Sequence, residues 1–336
     1  MKKFLATLLI LTLALLSFTA CFRTSAPSKN NGTGDNADDN TTLRIGYMSG
    51  PTGMGMAKLI HDNGGANGND KYSFFSYTDS SLAKADLTKG EIDVICIPTN
   101  EALAYYNTVD KNTRVLAINC LNSLYLISDG NHNATSLADL EGETIYTCLN
   151  GTPRIILNYI IDALGLDIKV SYSINDTDMK TPAEVNAQVI AGNLPYAVIP
   201  EPIVTAATSA NTSYSIDINL ADEWAKIPAL KDTPVTMGCI VANQNFITAH
   251  PTVIENFLAE YEASVSYVGN IKNIENASKF VAEAKIIAAA PAAKKAIANL
   301  GDAIAYIDGA EMKSALEAFY TAIGMSLPAD EFYYEK

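Results

Sequence analysis

Apolar residues in the middle of the chain gather into short solid runs, and longer mixed stretches with helical spacing separate them. Leu43–Met48 is the first run and reads as a strand; a glycine-rich turn, Ser49-Gly50-Pro51-Thr52-Gly53, then feeds a helix to about Asp62. Tyr72–Tyr77 is a second, aromatic-rich strand. A helix over residues 81–88 stops at Lys89-Gly90, a basic residue followed by glycine. Residues 93–98 form a third strand, apolar nearly throughout, which suits burial on both faces of a parallel sheet. A further helix starts near Glu101, and strand-like runs at 114–119 and 124–128 close this half. Such alternation implies right-handed crossovers and an α/β sheet.

The pattern then starts again. Ser136-Leu137-Ala138-Asp139 has the spacing of a capping box, and residues 143–148 read as a strand. Thr152-Pro153 opens a helix with proline in the first turn, and the helix runs to Leu164 before Gly165. It is apolar nearly all round, which predicts burial. Residues 168–174 follow as a strand, Thr181-Pro182-Ala183-Glu184 opens another helix closed by Gly192-Asn193, and residues 196–200 form the next short strand. Two stretches echo each other. In each, a helix stops at glycine (Gly90, Gly192), a buried strand ends at proline (Pro98, Pro200), and a polar residue and a helix follow. Two similar βα halves are therefore expected. Beyond a strand at 237–241 the spacing turns helical, as in Ile254, Phe257, Leu258, Tyr261, Val265 and Val268. The tail over 327–334 is expected to be irregular and to pack aromatic rings.

The N-terminal end is different in kind. Met1-Lys2-Lys3, an unbroken apolar run from Phe4 to Leu16 and small residues before Cys21 make a secretory signal over residues 1–20. The run is short for a membrane span. Thr19-Ala20-Cys21 resembles the lipobox of bacterial lipoproteins, although Phe18 stands where leucine is usual. Cys21 is then lipidated, and two acyl chains anchor the chain to the membrane. Residues 21–41 are polar and read as a flexible tether. The remaining length is near the size at which one core divides into two. Cleavage after Ala20 would leave 21 basic and 37 acidic side chains, a net charge of −16, which argues against nucleic acid as a partner. Cys96, Cys120, Cys148 and Cys239 sit in apolar runs and read as small buried hydrophobes; export leaves disulfides open as the alternative. His61, His132 and His250 are scattered with no metal-ligand spacing, so neither a metal nor another cofactor is expected.

Open α/β sheets bind ligands at the carboxyl ends of their strands. Four segments lie there: Ser49 to Gly55, Thr99-Asn100, Asn150 to Arg154, and Glu201-Pro202. In the first, Ser49, Gly50, Pro51, Thr52, Gly53 and Met54 let backbone N–H groups approach a ligand, although a plain tight turn reads as well. In the third, Asn150, Gly151, Thr152 and Arg154 begin a helix. Arg154 either faces an anionic or carbonyl-bearing ligand or is a surface arginine. Glu201 is the best lone carboxylate, read as a helix N-terminal residue or a ligand acceptor before a general base. Tyr47, Tyr125, Tyr146 and Trp224 could stack a ring, although each taken singly reads more readily as a core residue. There is no Gly-x-Ser-x-Gly elbow and no histidine beside a nucleophile, so the chain reads as a binder and not an enzyme.

From about Thr42 to Tyr334 the chain resembles an ABC-transporter substrate-binding protein of the nitrate/sulfonate/taurine group. The resemblance rests on Gly50-Pro51-Thr52-Gly53-Met54-Gly55-Met56, Gly90-Glu91-Ile92-Asp93-Val94 before Pro98-Thr99-Asn100, Ser136 to Tyr146, Pro200-Glu201-Pro202 and His250-Pro251. It implies a type II periplasmic-binding-protein fold, two α/β lobes with a ligand cleft between them, hinged near residues 126–129 and 238–242. The lobes are placed at 42–127 plus 242–336 and at 128–241. The resemblance also implies a monomer on the extracytoplasmic face, which binds a small-molecule ligand by hinge closure and docks on a permease and its ATPase. Met54, Tyr125 and Tyr146 would form an aromatic and methionine-bearing lip suited to an organic ligand larger than nitrate. Two rivals remain: a ligand sensor that kept the fold, and a same-fold enzyme of thiamine-pyrimidine or menaquinone-precursor type.

Overall fold

In the computed structural model of the chain, which describes residues 40–335, the apolar runs become strands β1 (Leu43–Met48), β2 (Tyr72–Tyr77), β3 (Val94–Pro98), β4 (Thr113–Leu121), β5 (Leu124–Asp129), β6 (Thr144–Tyr146), β7 (Lys169–Ser171), β8 (Ser173–Ile174), β9 (Thr177–Asp178), β10 (Tyr196–Pro200), β11 (Tyr214–Asn219) and β12 (Thr236–Asn243). The mixed stretches become helices α1 (Pro51–Met54), α2 (Ala57–Asp62), α3 (Ser80–Lys89), α4 (Thr99–Thr108), α5 (Thr152–Leu164), α6 (Pro182–Ile190), α7 (Ile203–Ala210), α8 (Leu220–Trp224), α9 (Gln244–Ala249), α10 (Pro251–Gly269), α11 (Ile274–Glu283), α12 (Ala290–Leu300) and α13 (Gly309–Ala322). Residues 39–336 form one compact unit. The signal sequence, Cys21 and most of the tether lie outside the described residues.

Two five-stranded sheets organise that unit, in the orders β2-β1-β3-β12-β4 and β11-β5-β10-β6-β7. The sequence echo is visible in them: β3 and β10, each ending at a proline, are both the third of five strands. Neither sheet is wholly parallel. β1 runs parallel to β2 and β3, whereas β12 is antiparallel to β3 and β4; β5 is antiparallel to β10 and β11. The antiparallel members arise because the chain crosses between sheets twice. β5 lies wholly in the second sheet and β12 wholly in the first, so the crossings fall at Asn122–Ser123 and just before Thr236. They lie earlier in the chain than the expected 126–129 and 238–242, because an apolar run looks the same whichever sheet receives it. The two crossings are tied together: Asn122 N–H donates to Val235 O at 2.9 Å, and Val235 N–H to Asn122 Oδ1 at 3.1 Å.

The C-terminal helices complete the first lobe. Ser264 on α10 accepts from Leu59 N–H and donates to Gly55 O at 2.6 Å, which fixes α10 against α2. α13 packs over β4 and β12. Strand β4 would be an exposed edge, but Ile307 bridges Ile118 and Tyr334 N–H donates to Val115 O, so later segments pair with it. The aromatic tail packs as expected, with Phe332 fully buried and its ring 4.8 Å from that of Tyr106. Helix α5 is less enclosed than predicted, since Arg154, Asp162 and Ala163 are exposed and its apolar face carries the burial. The run at 168–174 divides into β7 and β8, the latter forming a small hairpin with β9.

The four described cysteines are buried and free of disulfides. Burial pushes the thiols of Cys96 and Cys120 up to about 12, which keeps them protonated and unreactive. No helix among the described residues is long and apolar enough to cross a membrane.

Candidate ligand-binding cleft

The carboxyl ends of four strands converge where the lobes meet. β1 delivers the Ser49–Thr52 turn and β3 delivers Thr99 and Asn100, both in the first lobe. β6 leads to Asn150–Thr152 and β10 to Glu201-Pro202, both in the second. The lobes touch directly: Thr152 Oγ1 donates to Asn100 Oδ1 at 3.1 Å. Beside this pair, a Cβ on Gly50 would stand 3.5 Å from Cδ of Pro202.

Each wall is held from behind. Ser49 N–H donates to Tyr77 O and Gly50 N–H to Ile286 O. Asn119 Nδ2 donates to Thr52 O at 2.9 Å. Thr99 is fully buried; its hydroxyl donates to Thr236 O at 2.7 Å, and its carbonyl accepts from Tyr320 Oη at 3.0 Å. Thr99 therefore supports the wall, and Asn100 is the residue of that turn presented to the cleft. Asn150 is exposed, with its N–H directed to Lys180 O.

The helices that start here have open ends. α4 follows Pro98 and α5 follows Gly151, and neither has a side-chain cap hydrogen bond. First-turn N–H groups have no intrahelical acceptor, so without a cap they are offered to water or ligand. Two such ends in opposite lobes make a donor-rich cleft suited to oxygen acceptors.

Several sequence candidates lie elsewhere. Arg154 is exposed; it donates to Leu149 O at 3.1 Å and stands 5.5 Å from the Tyr172 ring centroid, so it braces its own loop. Met54 is fully buried under the turn and forms no lip. Tyr125 and Tyr47 are also buried, their hydroxyls donating to Asn299 O and Ala284 O. Trp224 packs between Tyr159 and Phe319. Of the expected stacking rings only Tyr146 keeps partial exposure, so the argument for a large organic ligand loses most of its basis.

Glu201 is 1 % exposed, and its carboxylate is engaged inside the protein. Oε1 accepts from Thr205 Oγ1 at 3.0 Å and Asn299 Nδ2 at 2.6 Å, and Oε2 accepts from Thr205 N–H at 3.2 Å. Burial raises its pKa, against the opposing pull of these hydrogen bonds. Asn299 was not singled out from the sequence. It lies 98 residues from Glu201 in a helix with no motif, so no local signal marked it. Among the described residues no group of three His, Cys, Asp or Glu side chains is placed to hold a metal ion.

Solved structures with the same architecture are numerous. An ABC transporter protein from Parabacteroides distasonis superposes over 88% of this chain and 99% of its own, with a TM-score of 0.68 and 21% identity. The periplasmic aliphatic sulphonate binding protein of Escherichia coli matches over 88% and 92% of the two chains, with a TM-score of 0.64 and 18% identity. This is a type II periplasmic-binding-protein fold. The nitrate-binding protein of Synechocystis shares it at a TM-score of 0.61 and 15% identity, over 88% of this chain and 84% of that one. The chain matches no protein-family model and no curated protein.

Proposed function

We propose that this chain is the extracytoplasmic, lipid-anchored solute-binding subunit of an ABC importer. It captures a small polar ligand between its lobes and delivers it to a membrane permease driven by an ATPase. The contact between Thr152 and Asn100 carries this reading. A ligand oxygen seated there accepts from both lobes at once, and a ligand that binds both lobes favours the closed form. The ligand is a small molecule bearing oxygen acceptors, anionic or heterocyclic, recognised by amides and hydroxyls. The shared fold with sulphonate- and nitrate-binding proteins supports the transport role.

The test is a thermal-shift screen of residues 39–336 against sulfonates, nitrate and small heterocycles. A ligand at about 100 times its dissociation constant adds ~2.7 kcal/mol of stability. Asn100→Ala and Thr152→Ala are each expected to weaken the hit about tenfold, the effect of losing roughly one hydrogen bond. No shift from a folded sample, or a hit unaffected by either change, would refute the assignment of the cleft.

The anchor has its own test. In full-length chain expressed in a bacterium fed an alkyne-tagged fatty acid, Cys21 is expected to carry the tag. Cys21→Ser should lose it and leave the membrane fraction. Retention of both by the variant would place the anchor elsewhere.

A further inference from the structure

Helix α12 belongs to the first lobe by its buried face, where Ala293, Ala296 and Ile297 pack beside α10 and α11. Its other side reaches the second lobe. Lys295 Nζ donates to Ser209 Oγ at 3.1 Å, at the end of α7. One turn further on, Asn299 meets two separate elements. Its carbonyl accepts from Tyr125 Oη on β5 at 2.8 Å, and its amide donates to Glu201 Oε1 at 2.6 Å. The same amide lies 3.3 Å from Thr205 Oγ1.

Glu201 makes this contact unequal to a surface hydrogen bond. Among the described residues its carboxylate has no cationic partner, and its donors are Thr205, from its own lobe, and Asn299, from the other. A buried carboxylate short of a donor is costly. Separation of α12 from α7 would remove the donor from the first lobe and also break the bond from Tyr125. The backbone N–H of Glu201 donates to Ser123 O in the first crossing, so the group sits where lobe rotation is pivoted.

We propose that Glu201, Asn299 and Tyr125 form a clasp that holds the two lobes together from the α12 side. The balance between open and closed forms is then set partly by this helix and not by ligand alone. The inference rests on the reading of the cleft as a site that works by closure. A ligand for such a protein meets a population already weighted toward the closed form, and its apparent affinity carries that fraction.

Small-angle X-ray scattering of the ligand-free unit, residues 39–336, tests the clasp without any solute. The wild-type protein should scatter as a compact body, with a radius of gyration of about 19 Å for this length. Asn299→Ala should raise the radius, with unchanged circular dichroism because the side chain lies on an exposed helix surface. Glu201→Gln keeps an acceptor oxygen for Asn299 and should stay compact. Where the screen has produced a ligand, Asn299→Ala should weaken it about tenfold or more, the effect of losing one hydrogen bond to a charged group. A radius for Asn299→Ala equal to that of wild type overturns the clasp. An opened Asn299→Ala protein whose wild type binds nothing in the panel leaves the clasp standing and counts against the solute-binding reading instead.

Discussion

Replacing Gly53 with alanine is expected to destabilise the folded unit by about 3 kcal/mol and to disorganise the first wall of the cleft. A Cβ at this position would stand 1.9 Å from the carbonyl oxygen of Met48 and 3.1 Å from its carbon. Both are backbone atoms, so no rotamer change relieves the collision. The turn itself has to move, and it is held at several points: Gly53 N–H donates to Gly50 O, Met56 N–H to Gly53 O, and Asn119 Nδ2 to Thr52 O. Moving Gly53 therefore drags Ser49, Gly50 and Thr52 out of register with the second lobe. Gly50→Ala is a useful contrast, because space is available there and the backbone is the obstacle. Gly50 has φ 96° and ψ −161°, a region open essentially to glycine, and a side chain costs about 1–3 kcal/mol. Urea denaturation of the two variants separates the effects. A Gly53→Ala midpoint equal to that of wild type would mean that the turn is looser than its hydrogen bonds imply.

The fold was largely legible because its punctuation is local. Leu43–Met48 and Tyr72–Tyr77 are strands over the residues expected, and Pro98 at the end of β3 does mark the start of α4, whereas after Pro200 the helix α7 begins only at Ile203. Ser136 and Asp139 make the capping box that their spacing suggested. Strand β11 was missed because it is an edge strand with only Tyr214 and Ile218 buried, too few apolar positions to form a run. Partition between sheets was misjudged for a different reason: it depends on pairing across long separations, and the hydrophobic pattern carries burial without partner. The same division runs through the cleft. Asn100 and Thr152, whose side chains the structure brings together, stand at positions legible in sequence, because a strand end followed by a helix start is a local signature. Met54 was misplaced because a methionine flanked by glycines looks exposed in sequence, whereas a single helical turn directs it into the core. Glu201 was found as a carboxylate, but its role depends on Asn299, which no neighbouring residue announces.

Trp224→Ala should be the most destabilising of the side-chain truncations considered, by about 3–5 kcal/mol. Trp224 is 1 % exposed and is the only tryptophan in the chain. Its ring lies 5.2 Å from that of Tyr159 on α5 and 6.0 Å from that of Phe319 on α13. The first neighbour belongs to the second lobe and the other to a helix packed on β4 and β12, so the indole fills space between the lobes. Its N–H donates to Thr233 O at 2.9 Å, just before the chain recrosses into β12. Truncation removes contacts with both lobes, opens a cavity that their backbones cannot easily fill, and leaves the Thr233 carbonyl without that donor. A loss of this size is a large share of the ~5–15 kcal/mol that holds an ordinary domain together. Trp224→Phe keeps most of the apolar volume and should cost clearly less. Because the substitution also removes the fluorophore, circular dichroism in urea is the proper readout. If Trp224→Ala shifted stability by less than about 1 kcal/mol, the range of ordinary substitutions, the space between the lobes would have to be able to collapse around the missing ring. The crossing would then be held mainly by its backbone pairing at Asn122 and Val235.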